Sequence, residues 1–456
     1  MTERPRRIVV TGASGNVGAG VLRALARSEP DASVIGVCRR PPTHGELYRG
    51  MTWYAVDLSS PTAAQLLAPA MRDADVVVHL ALAILPAHDE NYLYRANVVG
   101  TQAVLDAMAT AGVGHLVYAS SLGIYAPGLG EPVSETWPTS GQASSVYSRH
   151  KVMVEAMLDE FELRHSDVVV ARFRPTVVVQ REAASELRSL YVGPFVPRWA
   201  FTLLQRRLLP LLPLPEGLAL QFVHADDVGD AAVRLIQRRA RGSFNVAADA
   251  LDQARIAALV GARPVEVKPA LMRRAVGALH RLRVVAVTPG WYDVATRSPL
   301  MDTSKARGEL GWRPTWSSTD AARELIEGLA DGAVGSSAAM GWTEGDDMVG
   351  PKTIERVHDV TLLLWCVMAL TRVAKPGRPG LVHGAVIAAN LLSGTPAALA
   401  RVRERRRDVV ALMAPAAVGA AVLASVHGGP AAAAATAVLG GLGMTERRRT
   451  KRRANR

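Results

Sequence analysis

A chain of 456 residues is long enough for two or three domains, and its 49% hydrophobic content with slightly positive mean hydropathy excludes wholesale disorder. Its two cysteines, Cys38 and Cys366, have no pairing or ligand spacing, which argues against a disulfide framework or a structural zinc site, leaves no metal expected, and suits a reducing cytoplasm. The formal charge of +12 sits in one place: residues 351–456 hold 17 Lys and Arg against 5 Asp and Glu, whereas the remainder holds 36 of each. An electrostatic partner is therefore expected only at the C-terminal end.

The opening M-T-E-R-P-R-R leads directly into an apolar run, so no cleavable signal peptide is expected. That run, Ile8–Val10, reads as a buried strand entering a tight turn, T-G-A-S-G-N-V-G, with glycines at Gly12, Gly15 and Gly18. A helix follows through Val21, Leu22 and Leu25. In such a turn the first Gly allows the sharp bend, the second lets backbone N–H groups approach a pyrophosphate, and the third lets helix pack on strand. The anion is then expected on the helix N-terminus.

Apolar strand-like runs recur at Ser33–Cys38, Thr52–Val56, Asp75–Leu80, His115–Ser120 and Asp167–Phe173, with helical patterns near Thr62–Met71, Tyr92–Ala111 and Val146–Leu163 between them. Strands apolar throughout and alternating with helices predict an α/β fold, a doubly wound parallel Rossmann sheet over residues 6–180. A strand and a helix from 220–250 are expected to return to it. Residues 181–330 loosen into Pro- and Leu-rich loops at Leu208–Gly217, with strands into Val223 and at Ser243–Val246, and predict a smaller α/β substrate lobe. The Gly-, Ser- and Ala-rich stretch 331–351 reads as a linker to an Ala-rich, helical, basic extension over 352–456.

Several residues are placed where chemistry is expected. Asp57 follows the third strand and is expected to accept a hydrogen bond from an adenine amino group or, equally, to cap a helix beside Ser59 and Ser60. The second strand ends in Cys38, Arg39 and Arg40 where a carboxylate for a ribose 2′-hydroxyl is usual; two guanidinium groups suit a 2′-phosphate and favour NADP, with NAD as the alternative. His79 reads as a core histidine, and Asn97 is expected to reach inward toward the site. Ser120 and Ser121 end the fifth strand, and Y-S-R-H-K then places Tyr147 and Lys151 at i and i+4 on one helix face. A free tyrosine titrates near ~10, so a neighbouring ammonium and a positive nicotinamide would be needed to stabilise its phenolate. Lys151 can also hold the nicotinamide ribose, and Ser121 can donate to a substrate carbonyl or alkoxide.

Taken in order, T-G-A-S-G-N-V-G, Asp57, D-V-V-V-H-L-A, N-V-V-G-T, Y-A-S-S-L-G-I-Y, Y-S-R-H-K, R-F-R-P, F-V-H-A-D-D-V and D-T-S-K-A-R-G-E-L-G-W-R-P resemble the extended short-chain dehydrogenase/reductase family, in its NAD-dependent epimerase/dehydratase branch, over residues 6–330. The resemblance implies Tyr147 as acid/base, Lys151 as its electrostatic partner and ribose ligand, and Ser121 as the substrate-orienting hydroxyl. Hydride would move between nicotinamide and a carbonyl/alcohol carbon. The cofactor set expected is Gly12, Ser14, Gly15, Asn16, Val17, Gly18, Arg39, Arg40, Asp57, Leu58, Leu80, Ala81, Asn97, Ser120, Tyr147, Lys151, Arg174 and Pro175.

The chain departs from the nucleotide-sugar enzymes of that branch in two places. Arg174 stands where an Asn commonly precedes Pro175, and Leu218–Phe222, L-A-L-Q-F, lacks the Arg that grips a sugar-nucleotide pyrophosphate. Arg174, Arg181 or Arg198 could replace that clamp, while the Leu- and Pro-rich stretch Phe201–Pro215 could line an apolar pocket or serve only as packing. Both a nucleotide sugar and an apolar ketone or alcohol stay open as the small-molecule substrate. So does a homodimer.

In the extension, the charge-free runs Val409–Val426 and Gly428–Met444 are flanked by R-V-R-E-R-R-R and R-R-R-T-K-R-R. A membrane hairpin with both basic clusters on the cytoplasmic side is expected through 408–456, which places the protein in the cytoplasm at the inner face of the membrane. A soluble helical appendage is the alternative, and nucleic acid ranks last because no aromatic residues interleave with the charge. The class that competes with an enzyme is a non-catalytic NADP-binding scaffold or sensor.

Overall fold

The computed structural model describes residues 4–84, 89–128, 130–192, 198–281 and 285–341. The expectations for 342–351 and for the extension over 352–456 lie outside the described residues. The described strands are, in chain order, β1 (Arg7–Thr11), β2 (Ser33–Cys38), β3 (Thr52–Ala55), β4 (Val76–His79), β5 (His115–Ala119), β6 (Val169–Pro175), β7 (Val177–Val179), β8 (Leu211–Pro215), β9 (Ala219–His224), β10 (Gly242–Val246), β11 (Ala250–Asp252) and β12 (Arg263–Val267). Seven of them form one sheet in the order β10-β6-β5-β4-β1-β2-β3, parallel at every pairing. The order reverses between β1 and β4, and the crevice beyond their C-terminal ends is where such a sheet binds ligands.

The strands are apolar throughout because both faces are covered. Ile8, Val10, Val78, Val117, Phe173 and Phe244 pack on one side with Val21, Leu25, Val228 and Leu235 of the helices Asn16–Ser28 and Ala225–Gln237. Val9, Val37, Val77, Leu116 and Val170 pack on the other with Leu67, Leu105, Met108 and Leu158. The strand and helix returned from 220–250 thus complete the sheet and one of its cores. The first pair of helices meets backbone to backbone: a Cβ on Gly20 would stand 2.0 Å from the Ala225 carbonyl oxygen, and one on Gly229 would stand 2.2 Å from that of Gly20.

Two expectations are corrected by tertiary packing. Leu208–Gly217 is not simply a loop, because it contains β8, paired in parallel with β12 from Leu211↔Arg263 to Pro215↔Val267. Its prolines are tolerated since β8 has one partner and needs only half of its ladder. The head of the expected linker is packed: Ser337 is fully buried and donates through Oγ to the Ser14 carbonyl at 2.5 Å, and Met340 is buried beside it. No helix among the described residues is long and apolar enough to cross a membrane.

Candidate functional site

The glycine turn begins where β1 ends. Gly12 has φ +71°, and a Cβ there would lie 2.7 Å from the Ala81 backbone nitrogen, so only glycine lets the β1 and β4 exits approach so closely. At Gly18 a Cβ would meet the Ala13 carbonyl at 2.4 Å, whereas at Gly15 it would find nothing nearer than the Gly12 carbonyl at 3.5 Å. Two glycines therefore close the turn, and the third leaves room above it. The Asn16 side chain is committed to the segment after β6, donating to the Val178 carbonyl at 2.9 Å and accepting from Gln180 at 2.7 Å; its backbone N–H favours the charged form of Glu186.

A cleft of about 770 Å³ opens over this turn. Gly12, Ser14, Gly15, Asn16, Val17, Gly18, Arg39, Arg40, Asp57, Leu58, Leu80, Ala81, Ser120, Ser121, Tyr147, Lys151 and Pro175 all line it. Arg39 and Arg40 are exposed at the end of β2, where Arg39 donates to the Tyr92 hydroxyl. Asp57 rims the cleft and also closes its own turn, accepting from the Ser59 N–H at 2.9 Å and the Ser59 hydroxyl at 2.8 Å. The space left at Gly15, the helix start behind it and the paired guanidinium groups fit a dinucleotide phosphate.

The helix Val146–Arg164 supplies the other wall. Ser145 caps it by accepting from the Ser148 N–H at 3.3 Å, which fixes the first turn. Tyr147, Lys151 and Glu155 then recur at every fourth residue along one face, aimed at the end of β5. Tyr147 stacks on Trp291 with ring centroids 4.6 Å apart, and the nearby Ser121 hydroxyl favours the charged form of its phenol. Gly123 makes space for that ring, since a Cβ there would stand 2.9 Å from it. Lys151 donates to the Ala119 carbonyl at 2.5 Å and to the Tyr118 hydroxyl at 3.1 Å. Burial pushes the Tyr147 phenol up to about 12, against the pull of Ser121, and pushes the Lys151 ammonium down to about 7, against the pull of Glu155. His79 is a satisfied core residue between Thr11 (2.6 Å) and Thr101 (2.9 Å), its pKa lowered to about 3 chiefly by burial.

Two expected cofactor residues do not line the cleft. Asn97 is spent on the loop after β4: it donates to the Ala83 carbonyl at 2.8 Å and accepts from the Ala83 N–H at 2.7 Å. Its helix makes a π-turn over Arg95–Val99, which sets the direction of that side chain. Arg174 is buried in a two-pronged pair with Glu155, at 3.0 and 2.6 Å, and donates to Tyr125 at 3.1 Å; Glu155 in turn accepts from Ser120. As a replacement clamp Arg181 also fails, because it is paired with Asp331. The side chain of Arg198 lies outside the described residues. Motif reading did not single out Glu186, Tyr191, Trp291 or Ser298, all in the lining. Only the spacing of Glu155 after Tyr147 and Lys151 carried a local signal for the network beneath them.

The sheet order, the reversal beside the glycine turn and the cleft above it define a Rossmann-type dinucleotide protein. Residues 8–247 match the model of the NAD dependent epimerase/dehydratase family, and the chain belongs to that family. An uncharacterized protein of Mycobacterium tuberculosis is 28% identical over 320 residues, 69% of this chain and 29% of the relative, so the chain spans less than a third of that relative's length. The UDP-glucose 4-epimerase of Erwinia amylovora is 28% identical over 162 residues, 34% of this chain and 48% of that enzyme. Among solved structures, the UDP-glucose 4-epimerase of Thermotoga maritima with UDP-glucose aligns with a TM-score of 0.54 at 20% identity, over 72% of this chain and 99% of that one, and shows the shared fold.

Proposed function

We propose that the chain is a nicotinamide-dependent epimerase, dehydratase or reductase that moves hydride at a carbonyl/alcohol carbon of a nucleotide sugar or an apolar ketone or alcohol. The observation that carries this reading is the joint placement of Ser121, Tyr147 and Lys151 on the wall of the cleft that begins at the glycine turn. Gly12, Ser14, Gly15, Val17 and the Asn16 N–H would hold the dinucleotide phosphates, Asp57 the adenine, and Lys151 the nicotinamide ribose. Bound there, the nicotinamide supplies the hydride acceptor or donor. Tyr147 exchanges a proton with the substrate oxygen, Ser121 donates to that oxygen, and Lys151 lowers the cost of the phenolate.

Tyr147→Phe is expected to lower turnover about 10²–10⁴-fold while cofactor affinity stays within a few-fold. Unchanged turnover would leave a non-catalytic dinucleotide-binding scaffold or sensor as the reading. Arg39 and Arg40 support NADP over NAD, and fluorescence titration is expected to show tighter NADP binding that Arg39→Ala weakens; NAD binding as tightly overturns it. We assign residues 6–180 with 220–250 to the dinucleotide domain and 181–330 to the substrate lobe. For 408–456 membrane contact remains the proposal, checked by fractionation of the full chain against one ending at Gly350, with identical partitioning as the refuting result.

A further inference from the structure

The lobe side of the cleft, beyond Tyr147, is walled by Leu190, Tyr191, Leu220, Trp291, Val294 and Leu300. Trp291 stacks on the Tyr147 ring at 28°, and Tyr191 meets the other ring of that set edge-on, at 90° and 5.5 Å from Trp291. An apolar wall therefore adjoins Tyr147, whose hydroxyl is placed to exchange the substrate proton.

The polar atoms on this side are few and mostly spent. Gln221 donates to the Ala248 and Met301 carbonyls, both at 3.1 Å, and accepts from the Met301 N–H at 2.7 Å. The Tyr292 hydroxyl donates to the Pro269 carbonyl at 3.1 Å. Ser298 Oγ is buried in the lining without a hydrogen-bond partner. The cations that line the cleft among the described residues are Arg39, Arg40 and Lys151. The first two stand at the end of β2, and Lys151 is held by Ala119 and Tyr118. Behind the wall, Arg273 is taken by Asp293 at 2.8 Å through two nitrogens. A second diphosphate beyond Tyr147 would meet an apolar wall there, with no counterion among the described lining residues, and burying an unpaired phosphate is costly.

We propose that the substrate of this site is an uncharged, largely apolar cyclic ketone or alcohol that packs against the Trp291 wall with its oxygen at Tyr147, and not a sugar nucleotide. The inference rests on the hydride-transfer reading above, in which Tyr147 exchanges the proton of the substrate oxygen. In the reducing direction the carbonyl carbon gains hydride from the reduced nicotinamide, its oxygen gains the Tyr147 proton, and the nicotinamide leaves oxidised. Each ring methylene that packs against this wall is expected to raise kcat/KM about fourfold, the equivalent of 0.8 kcal/mol per CH₂.

The experiment uses the full chain loaded with NADPH and measures, by calorimetry and by absorbance, the binding and reduction of cyclohexanone, 2-decalone and UDP-glucose. The expected result is tighter binding of 2-decalone than of cyclohexanone, and no UDP-glucose binding in the same range. Trp291→Ala should weaken 2-decalone at least tenfold, and Trp291→Phe should restore most of it. UDP-glucose binding as tightly as 2-decalone, no 2-decalone binding at all, or equal 2-decalone affinity in Trp291→Ala overturns the inference. Failure of the underlying reading looks different: neither NADPH nor NADH binds, or Tyr147→Phe reduces ketone as fast as the native chain.

Discussion

Glu186 offers a test of the site's electrostatics that needs no substrate. The backbone N–H of Asn16, the first residue of the helix Asn16–Ser28, favours its charged form, and its Oε2 is buried without a partner. Burial pushes the carboxyl up from 4.5 to about 7, and the Asn16 N–H only partly opposes it. The folded chain then keeps a proton that the unfolded chain has already lost. Stability therefore falls as pH rises from about 4.5 to about 7, and the full cost is present above that window. A shift of this size corresponds to about 3 kcal/mol. Glu186→Gln keeps the shape and the acceptor for Asn16 but removes the titration. Thermal unfolding should show the two proteins melting together near pH 4.5 and the variant melting higher at pH 8, by on the order of 5 °C. A variant that melts at or below the native chain at pH 8 would refute the reasoning. If the dinucleotide phosphate uses the same N–H, Glu186→Gln also tightens cofactor binding at pH 8, which the fluorescence titration reads.

Two further substitutions probe the supports of the site. Arg174→Met leaves Glu155 buried and unpaired, and urea unfolding should show a loss of about 3–5 kcal/mol; Arg174→Lys should recover only part of it, because an ammonium cannot reproduce the two-pronged pair. A loss below 1 kcal/mol in Arg174→Met would contradict the ion-pair account. Gly12→Ala forces a Cβ against the Ala81 backbone at φ +71°, so it should cost more than about 1 kcal/mol and abolish dinucleotide binding in the titration. Native-like binding by that variant would show that the β1 and β4 exits can separate.

What the sequence disclosed was whatever depends on local spacing. Gly12, Gly15 and Gly18 mark a strand-to-helix turn, and Tyr147 and Lys151 share a helix face by the geometry of the helix alone. The apolar strands announced a sheet covered on both sides for the same reason. What depends on contacts distant in sequence stayed hidden. Nothing near Trp291 or Ser298 points to Tyr147, over 140 residues earlier, because the chain must complete the lobe before they meet. Residues 331–341 have the composition of a linker, yet Ser337 finds the Ser14 carbonyl, and one buried hydrogen bond with the adjoining Met340 decides the matter. Asn97 has the residue type expected of an inward-facing side chain, but the π-turn and the Ala83 backbone commit it elsewhere.

Arg174 shows why a departure from a family pattern must be read against the fold. By itself, an arginine before Pro175 suggests a new anion clamp. Here Glu155 stands two turns beyond Tyr147 on the same helix face, which sends its carboxylate toward β6 and into the two prongs of Arg174. Each group would be expensive to bury alone, and together they satisfy one another. Burial depresses the Lys151 pKa and Glu155 opposes that shift, so the pair also sets the charge of the ammonium one turn away. The arginine at 174 therefore supports the wall that carries Tyr147 and Lys151 and says nothing about the ligand. The information on substrate lies on the lobe side instead, where Trp291, Tyr191 and aliphatic side chains line the wall and no cation among the described residues joins them.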